Sequence, residues 1–259
     1  MKKLFVILLT GVIALSLVSC LPRENKVECL LPAVVDRDPF SYPFLLTAIG
    51  KFIAPELAPT TLESGTCILA YFIVDYDNQP AEVPPYMASE LICDIIGESN
   101  AKIVADDFDE TAIFDDTDFS AEDIFPIQGL NPQLYNPILK GKIFLIFNHS
   151  APQDQTANYT AIVKPAANVD EPVNLYLIAK KTNAPEGFEI NRNIIHAVDM
   201  CNVIRVLGTE TTIEGKSALE LKINIQYCTG VDRKGGNDIP KYQEYKYNGV
   251  STIPLSVFK

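Results

Sequence analysis

Apolar and polar residues alternate along much of this chain with the period of a β-strand. The clearest example is the segment 219–227 (LELKINIQY), in which Leu, Leu, Ile, Ile and Tyr occupy every second position. Successive side chains of a strand point to opposite faces of a sheet. The pattern therefore predicts a strand with one buried face and one solvated face.

A second type of segment is apolar almost throughout. Residues 67–76 (CILAYFIVDY) are rich in β-branched and aromatic side chains, and turn-forming residues precede and follow them. Such a run predicts a buried strand. The same interpretation applies to four further segments, which are 142–148, 159–164, 173–179 and 202–207.

Eighteen prolines fall mainly between these segments and leave little room for long helices. The predicted fold class is all-β. Residues 106–123 stand apart, because nine of these eighteen residues are Asp or Glu, and such a density of like charge resists packing. We expect a small β domain at 33–105, an acidic linker at 106–123 and a larger β domain at 124–259.

The N-terminus has the pattern of an export signal. Two lysines follow Met1, the segment 4–18 is almost wholly apolar, and the run stops at Ser19-Cys20. About 20 apolar residues are needed to cross a bilayer, so the run is short for a transmembrane helix. The last four residues, 17–20 (LVSC), resemble the bacterial lipobox. That resemblance implies a lipoprotein signal peptide at 1–19, lipidation of Cys20 and a tether at 20–32.

Charge limits the partners. The formal net charge is −12, and it becomes more negative by two when Lys2 and Lys3 leave with the signal. Affinity for nucleic acid and for anionic headgroups comes from Lys and Arg, so no nucleic-acid partner is expected. No second hydrophobic span follows the signal, and the lipid on Cys20 is expected to provide the membrane attachment.

Acylation of Cys20 would leave five other cysteines, and an odd number cannot pair completely. Buried single thiols are one interpretation. If a disulfide forms, Cys67 with Cys93 is the first candidate, since both lie on neighbouring predicted strands. The cysteines lack zinc spacing, and no metal or cofactor is predicted.

Candidate catalytic residues are few. The two histidines, His149 and His196, have no partner at metal-ligand spacing and lie in strand-like segments, where structural roles are commoner. Neither a nucleophile elbow nor a phosphate-binding glycine loop is present. We predict no catalytic residue. Three tyrosines close together near the C-terminus are candidate ligand-stacking residues, with an edge strand as the alternative: Tyr242, Tyr245 and Tyr247.

Three segments carry a family resemblance: 65–71 (GTCILAY), 174–183 (NLYLIAKKTN) and 221–227 (LKINIQY). Together with the lipobox, their order is similar to that of the NigD-like lipoproteins of the Bacteroidetes. The resemblance implies an OB-type barrel followed by a C-terminal β-sandwich. It also suggests an accessory role, of immunity type among others, and it supplies no catalytic residues.

Three functional hypotheses remain open. The first is a non-enzymatic, membrane-anchored lipoprotein of the cell envelope that binds an envelope protein or a glycan. The second is a surface or pilus-type structural subunit, and the third is a hydrolase built on paired carboxylates. The mixed charge of residues 21–26 slightly favours the periplasmic face of the outer membrane over the cell surface.

Overall fold

The computed structural model describes residues 25–38, 42–57, 62–80, 85–105, 107–109, 121–130, 138–168, 171–213, 215–234 and 237–254. The predicted signal peptide and Cys20 lie outside these residues. The chain divides into two compact units, with Ile95 ending the first and Ile96 starting the second. No helix in the described part of the chain is long and apolar enough to cross a membrane.

The first unit is a closed five-stranded barrel in the order β1-β2-β3-β5-β4, with β4 returning to β1. Strands β3 and β5 run parallel, and the other pairs are antiparallel. This confirms the predicted OB-like barrel. The strands are β1 (Lys26–Arg37), β2 (Pro43–Thr47), β3 (Gly50–Ile53), β4 (Cys67–Asp75) and β5 (Tyr86–Ile95).

Aromatic packing fills the barrel. Along β4, every second residue from Ile68 to Val74 is completely buried. The ring centroids of Phe72 and Phe52 lie 4.8 Å apart, and Phe52 also stacks on Tyr86 at 5.6 Å. The core of the barrel accounts for the alternate apolar residues of β4, whereas Leu69, Tyr71 and Ile73 between them are half-buried on the other face.

Strand β1 starts earlier than the sequence suggested. The predicted tether extends to residue 32, whereas β1 begins at Lys26 and pairs with β4 from there to Val34. Its second half also pairs with β2. One strand thus has two partners, and this requires its full length of 12 residues.

The second unit contains ten strands and a single α-helix among the described residues. The helix, α1, spans Cys201–Leu207. The strands are β6 (Gly97–Ile103), β7 (Gly129–Leu130), β8 (Ile138–Leu139), β9 (Lys142–Pro152), β10 (Ala157–Lys164), β11 (Val173–Lys181), β12 (Glu189–Asp199), β13 (Thr209–Ile213), β14 (Lys216–Lys234) and β15 (Asn237–Pro254).

Strand β6 joins the two halves of this unit. Its first residues, 97–100, pair with β12, and residues 101–103 pair with β10. The sheet order is β13-β14-β11-β10-β6-β12-β9-β7, with β15 on β14 and β8 on β9. Apolar residues from both halves form one core cluster, so the halves enclose a common interior in the manner of the predicted β-sandwich.

Two bounds of the predicted organisation differ from the structure. Strand β6 belongs to the second unit, although the sequence placed 97–105 in the first domain. The acidic stretch follows β6, and its described residues, 107–109 and 121–123, belong to the second unit. Its described ends are attached to the sheet, since Phe108 packs on an apolar cluster beside Tyr176, and Lys181 Nζ donates to the carbonyl oxygen of Glu122 at 3.2 Å. Lys164 Nζ also donates to the carbonyl oxygen of Phe108 at 2.8 Å.

The prediction of a strand at 202–207 is wrong, because this segment forms α1. Val203 and Ile204 are both buried, whereas Arg205 and Val206 are exposed, which is a helical face and not an alternating one. Short apolar runs do not distinguish a strand from a helix by periodicity alone. The helix ends at Gly208, whose N–H donates to the carbonyl oxygen of Ile204.

The turn between β8 and β9 generates a prediction. Gly141 has a φ of +81°, and a Cβ there would overlap Sγ of Cys201. We expect Gly141→Ala to destabilise the second unit by roughly 2 kcal/mol through strain and overlap. Urea unfolding measures the change. Gly129→Ala is the matched control, because a Cβ at Gly129 meets no atom within 4 Å, and equal effects of both substitutions would contradict the prediction.

Candidate functional site

The two histidines, far apart in sequence, come together in the core of the second unit. His149 in β9 and His196 in β12 expose 0% and 5% of their surface. In β9, His149 continues the inward-facing series that includes Phe147 and Ala151. The alternation of the strand therefore places a polar ring at a core position.

Tyr159 of β10 lies between the two histidines. Its ring centroid is 4.5 Å from that of His196 and 6.0 Å from that of His149. His149 Nδ1 lies 2.8 Å from the carbonyl oxygen of Pro126, which can only accept, so Nδ1 carries the proton. The other nitrogen, Nε2, then accepts from the Tyr159 hydroxyl at 3.3 Å.

His196 has a partner of its own. Its Nε2 and the hydroxyl of Ser99 in β6 are 3.0 Å apart. Gly97 of the same strand lies beside the ring, and a Cβ there would be 3.4 Å from Nδ1. Strand β6 thus approaches the histidine closely and supplies a hydrogen bond.

A cap of Phe125 and Arg192 closes this cluster. The Phe125 ring stacks on His149 at 3.8 Å with an interplanar angle of 10°. The guanidinium of Arg192 lies 5.9 Å from the Phe125 centroid and donates to the carbonyl oxygens of Gln153 and Gln155 at 2.9 and 2.8 Å. The hydrogen bonds of Arg192 hold the loop between β9 and β10 against the cluster.

Burial determines the charge of these groups. It lowers the pKa of His149 to about 4, and the charge of Arg192 acts in the same direction while the bond to Pro126 opposes it. Burial also lowers the pKa of His196 to about 4. It raises the pKa of Tyr159 far above its ordinary value. At neutral pH all three side chains are neutral, and their arrangement supports packing rather than proton transfer.

An open cleft lies elsewhere on the second unit. On one edge of β14, β13 pairs up to Glu220 and β11 begins pairing at Ile223. Leu221 and Lys222 lie between these two registers and line a cleft of about 630 Å³. The end of α1 forms one wall, and the loop 165–168 before β11 forms another.

Charged and apolar groups share the cleft. Glu171, Glu210 and Glu220 contribute carboxylates, and Lys222 contributes an amine. Val206 of α1 is 59% exposed at the wall. The loop is held in shape, since Asn168 Nδ2 donates to Glu171 Oε1 at 3.0 Å. A concave surface that combines apolar contacts with a few polar groups is typical of a binding site.

The tyrosines predicted to stack a ligand do not form one platform. Tyr242 packs edge-on against Tyr176 at 5.0 Å within the cluster on one face of the sheet. Tyr245 packs against the core on the other face. The side chain of Tyr247 lies outside the described residues. Packing therefore accounts for the two described rings.

The structure also corrects the possible disulfide. Cys67 and Cys93 are free thiols, as are Cys29, Cys201 and Cys228. The register pairs Cys93 with Ala70, three residues from Cys67. That offset separates the two Cα atoms by roughly 10 Å, and a disulfide needs about 7 Å or less. Among the residues described, no group of three potential ligands could hold a metal ion.

Sequence reasoning singled out the histidines but missed Tyr159, Arg192 and the cleft. The inward alternation of Tyr159 with Ala161 and Val163 is a signal that could have placed the tyrosine in the core. No pattern in the local sequence indicates the cleft, because the cleft depends on where two separate strands pair along β14.

Solved structures share this fold. A structure of an uncharacterized protein from Parabacteroides merdae is similar at 16% identity and a TM-score of 0.64, covering 88% of this chain and 99% of that one. This likeness shows the fold alone. No model of a protein family matches the sequence, and no curated protein matches it.

Two further solved structures are similar over most of the chain at lower TM-scores. A putative lipoprotein from Bacteroides fragilis is 15% identical with a TM-score of 0.47, covering 88% of this chain and 99% of that one. A NigD-like immunity protein from Bacteroides caccae is 13% identical with a TM-score of 0.43, covering 85% and 97%.

The histidine cluster predicts a pH dependence of stability. An unfolded histidine takes up a proton near pH 6.5, whereas the buried ones resist protonation until about pH 4. The stabilisation that comes from each buried, neutral histidine is therefore complete above pH 6.5 and is lost as the pH falls toward 4. The loss is at most roughly 3 kcal/mol in the free energy of unfolding per histidine. Urea unfolding of the second unit at pH 7 and pH 4.5 measures this loss.

The control is the double variant His149→Gln and His196→Gln, which retains hydrogen-bonding groups but cannot titrate. Burial raises the pKa of Tyr159, which also faces the rings, so this phenol stays protonated over this pH range. The double variant should therefore lose much less stability between the two pH values. Equal losses in both proteins would show that the histidines are not responsible.

Proposed function

We propose that this protein is a lipid-anchored, non-enzymatic binding protein of the cell envelope. The observation that carries the proposal is that the histidines of the second unit are buried while a different surface of the same unit is open. Its two histidines are buried in the core, whereas its open cleft contains carboxylates, an amine and an exposed valine. Such a surface suits recognition of a partner, and the lipobox ending at Cys20 supports attachment to a membrane.

The cleft is suited to an extended, basic segment of a partner protein. Three carboxylates face one amine, so a cationic side chain gains favourable electrostatic contacts there. The cleft also lies where the edge of β14 is uncovered at Leu221 and Lys222, between the ends of β11 and β13, and a short stretch of an extended chain fits beside such a gap. Val206 supplies an apolar contact for alternate residues of such a segment.

The structural-subunit hypothesis has less support. A pilus-type subunit donates a strand to its neighbour, whereas residues 251–254 already pair with β14 as the end of β15. A strand that completes its own sheet is not available to a neighbouring subunit. The proposed location remains the outer membrane, with the periplasmic face favoured by the mixed charge of residues 21–26.

Charge reversal tests the cleft. The probe is an octapeptide of alternating lysine and valine, titrated by calorimetry against the full chain. We expect Glu210→Lys to weaken binding about fivefold, since an exposed ionic contact contributes about 1 kcal/mol. High salt should weaken binding as well.

Glu244→Lys is the matched control, because Glu244 is exposed on β15 opposite Gln226 and does not line the cleft. It should leave the affinity nearly unchanged. An octapeptide of alternating glutamate and valine should not bind. Equal weakening by both charge reversals, or equal binding of the two peptides, would reject the cleft as the site.

The lipid anchor is tested separately. Cells that express the protein are labelled with a clickable palmitate analogue, and membranes are collected by centrifugation. The unaltered chain should take up label and sediment with membranes, whereas Cys20→Ser should lose both properties completely, because no other group would hold the lipid. Cys29→Ser is the control thiol and should behave as the unaltered chain does.

A further inference from the structure

The proposed anchor lies very close to the barrel in sequence, and this inference rests on the proposed lipidation. Only residues 21–24 separate Cys20 from Asn25, the first residue that the structure describes. A fully extended chain spans at most about 3.6 Å per residue, so the Cα of Asn25 lies within roughly 18 Å of that of Cys20. An acylated cysteine is held at the membrane surface, and Asn25 must then lie near that surface.

Asn25 is firmly attached to one end of the barrel. Its side-chain nitrogen donates to Asp77 Oδ1 at 2.6 Å, and its carbonyl oxygen accepts from the N–H of Tyr76 at 2.9 Å. We call residues 25–28 together with the turn 75–78 the anchor end. Because these bonds leave no slack between Asn25 and the turn, the limit on reach applies to the anchor end itself.

The turn of the anchor end is well braced. Asp75 accepts from the N–H of Asp77 at 3.1 Å and from Asn78 Nδ2 at 2.8 Å. Gln79 follows and holds the turn to β5, since its side chain accepts from the N–H of Met87 at 2.7 Å and donates to the carbonyl oxygen of Asp75 at 2.7 Å. The anchor end therefore behaves as one rigid surface.

This surface exposes side chains that suit a lipid interface. Tyr76 is 43% exposed and Val27 is 39% exposed. The Tyr76 ring rests edge-on against Tyr86 at 5.7 Å, which fixes its direction. Tyrosine combines an apolar ring with a polar hydroxyl and is enriched at the boundary between membrane and water.

The net charge of the anchor end indicates which lipid headgroups it can contact. Lys26 is accompanied by Glu28, Asp75 and Asp77, so the anchor end is acidic. The hydrogen bond from Asn78 is the main cause that lowers the pKa of Asp75, which keeps that carboxylate ionised at neutral pH. Anionic headgroups would be repelled by this end, whereas zwitterionic headgroups would not.

We propose that the anchor end of the barrel rests on a zwitterionic phospholipid surface, with Val27 and Tyr76 in contact with the headgroups. The opposite end, where β1 finishes at Arg37 and β2 begins after Tyr42, is then turned toward solvent. About 36 Å of strand separates Lys26 from Arg37 at the usual rise per residue.

The chain contains no tryptophan, so a single substitution creates a unique fluorescent reporter. Tyr76→Trp places the reporter at the anchor end, and Tyr42→Trp is the matched control at the opposite end, where Tyr42 is 66% exposed. Each lipidated full chain is reconstituted in phosphatidylcholine vesicles with a phosphatidylcholine that carries a nitroxide quencher near its headgroup. We expect several-fold stronger quenching for Tyr76→Trp than for Tyr42→Trp.

Two additions complete the test. Val27→Trp provides a second reporter at the anchor end if Tyr76→Trp does not fold, and replacing part of the lipid with phosphatidylglycerol should reduce quenching of either reporter. Equal quenching at both ends in vesicle-bound protein would overturn the orientation while leaving the anchor intact. Failure of the unaltered chain to carry lipid and to sediment with vesicles would instead overturn the proposed anchor, and the orientation with it.

Discussion

The change of partner within β6 is the constraint on which the second unit depends. Residues 97–100 pair with β12, and residues 101–103 pair with β10, so one strand belongs to both halves of the sheet. Each half buries an apolar face, and the shared strand brings these faces onto one core. A slip of one residue in β6 would turn Ala101 out of the core and Ser99 away from His196. The register of β6 thus fixes the hydrophobic packing and the polar cluster together.

That polar cluster explains why the only two histidines in the chain are unsuited to surface chemistry. Burying a polar ring is unfavourable unless its nitrogens find partners, and Pro126, Tyr159 and Ser99 supply them. The same burial keeps both rings neutral. Hydrogen bonds in the cluster connect β9 with β10 and β12 with β6, and the contact between the Tyr159 and His196 rings joins the two pairs.

Surfaces that can meet other molecules arise where strands end. Strand β14 is 19 residues long, far longer than β11 or β13, and the cleft occupies the stretch of its edge between these two partners. In the barrel, the turn 75–78 after β4 meets Asn25 at the start of β1, next to the proposed site of acylation. Both surfaces are therefore consequences of strand length. The long strands provide the rigid frame, and their uncovered ends provide the positions for binding and attachment.

The sequence by itself determined the all-β class, the principal strands and the export pattern ending at Cys20, because alternation, apolar runs and a signal are properties of neighbouring residues. Tertiary structure alone decided five other features. Pairing placed 97–103 in the second unit, and packing on one face turned 201–207 into a helix. Register separated Cys67 from Cys93, and it also brought His149, Tyr159 and His196 together and opened the cleft. Each of these depends on how segments distant in sequence pair or pack, and burial of the whole core makes that choice.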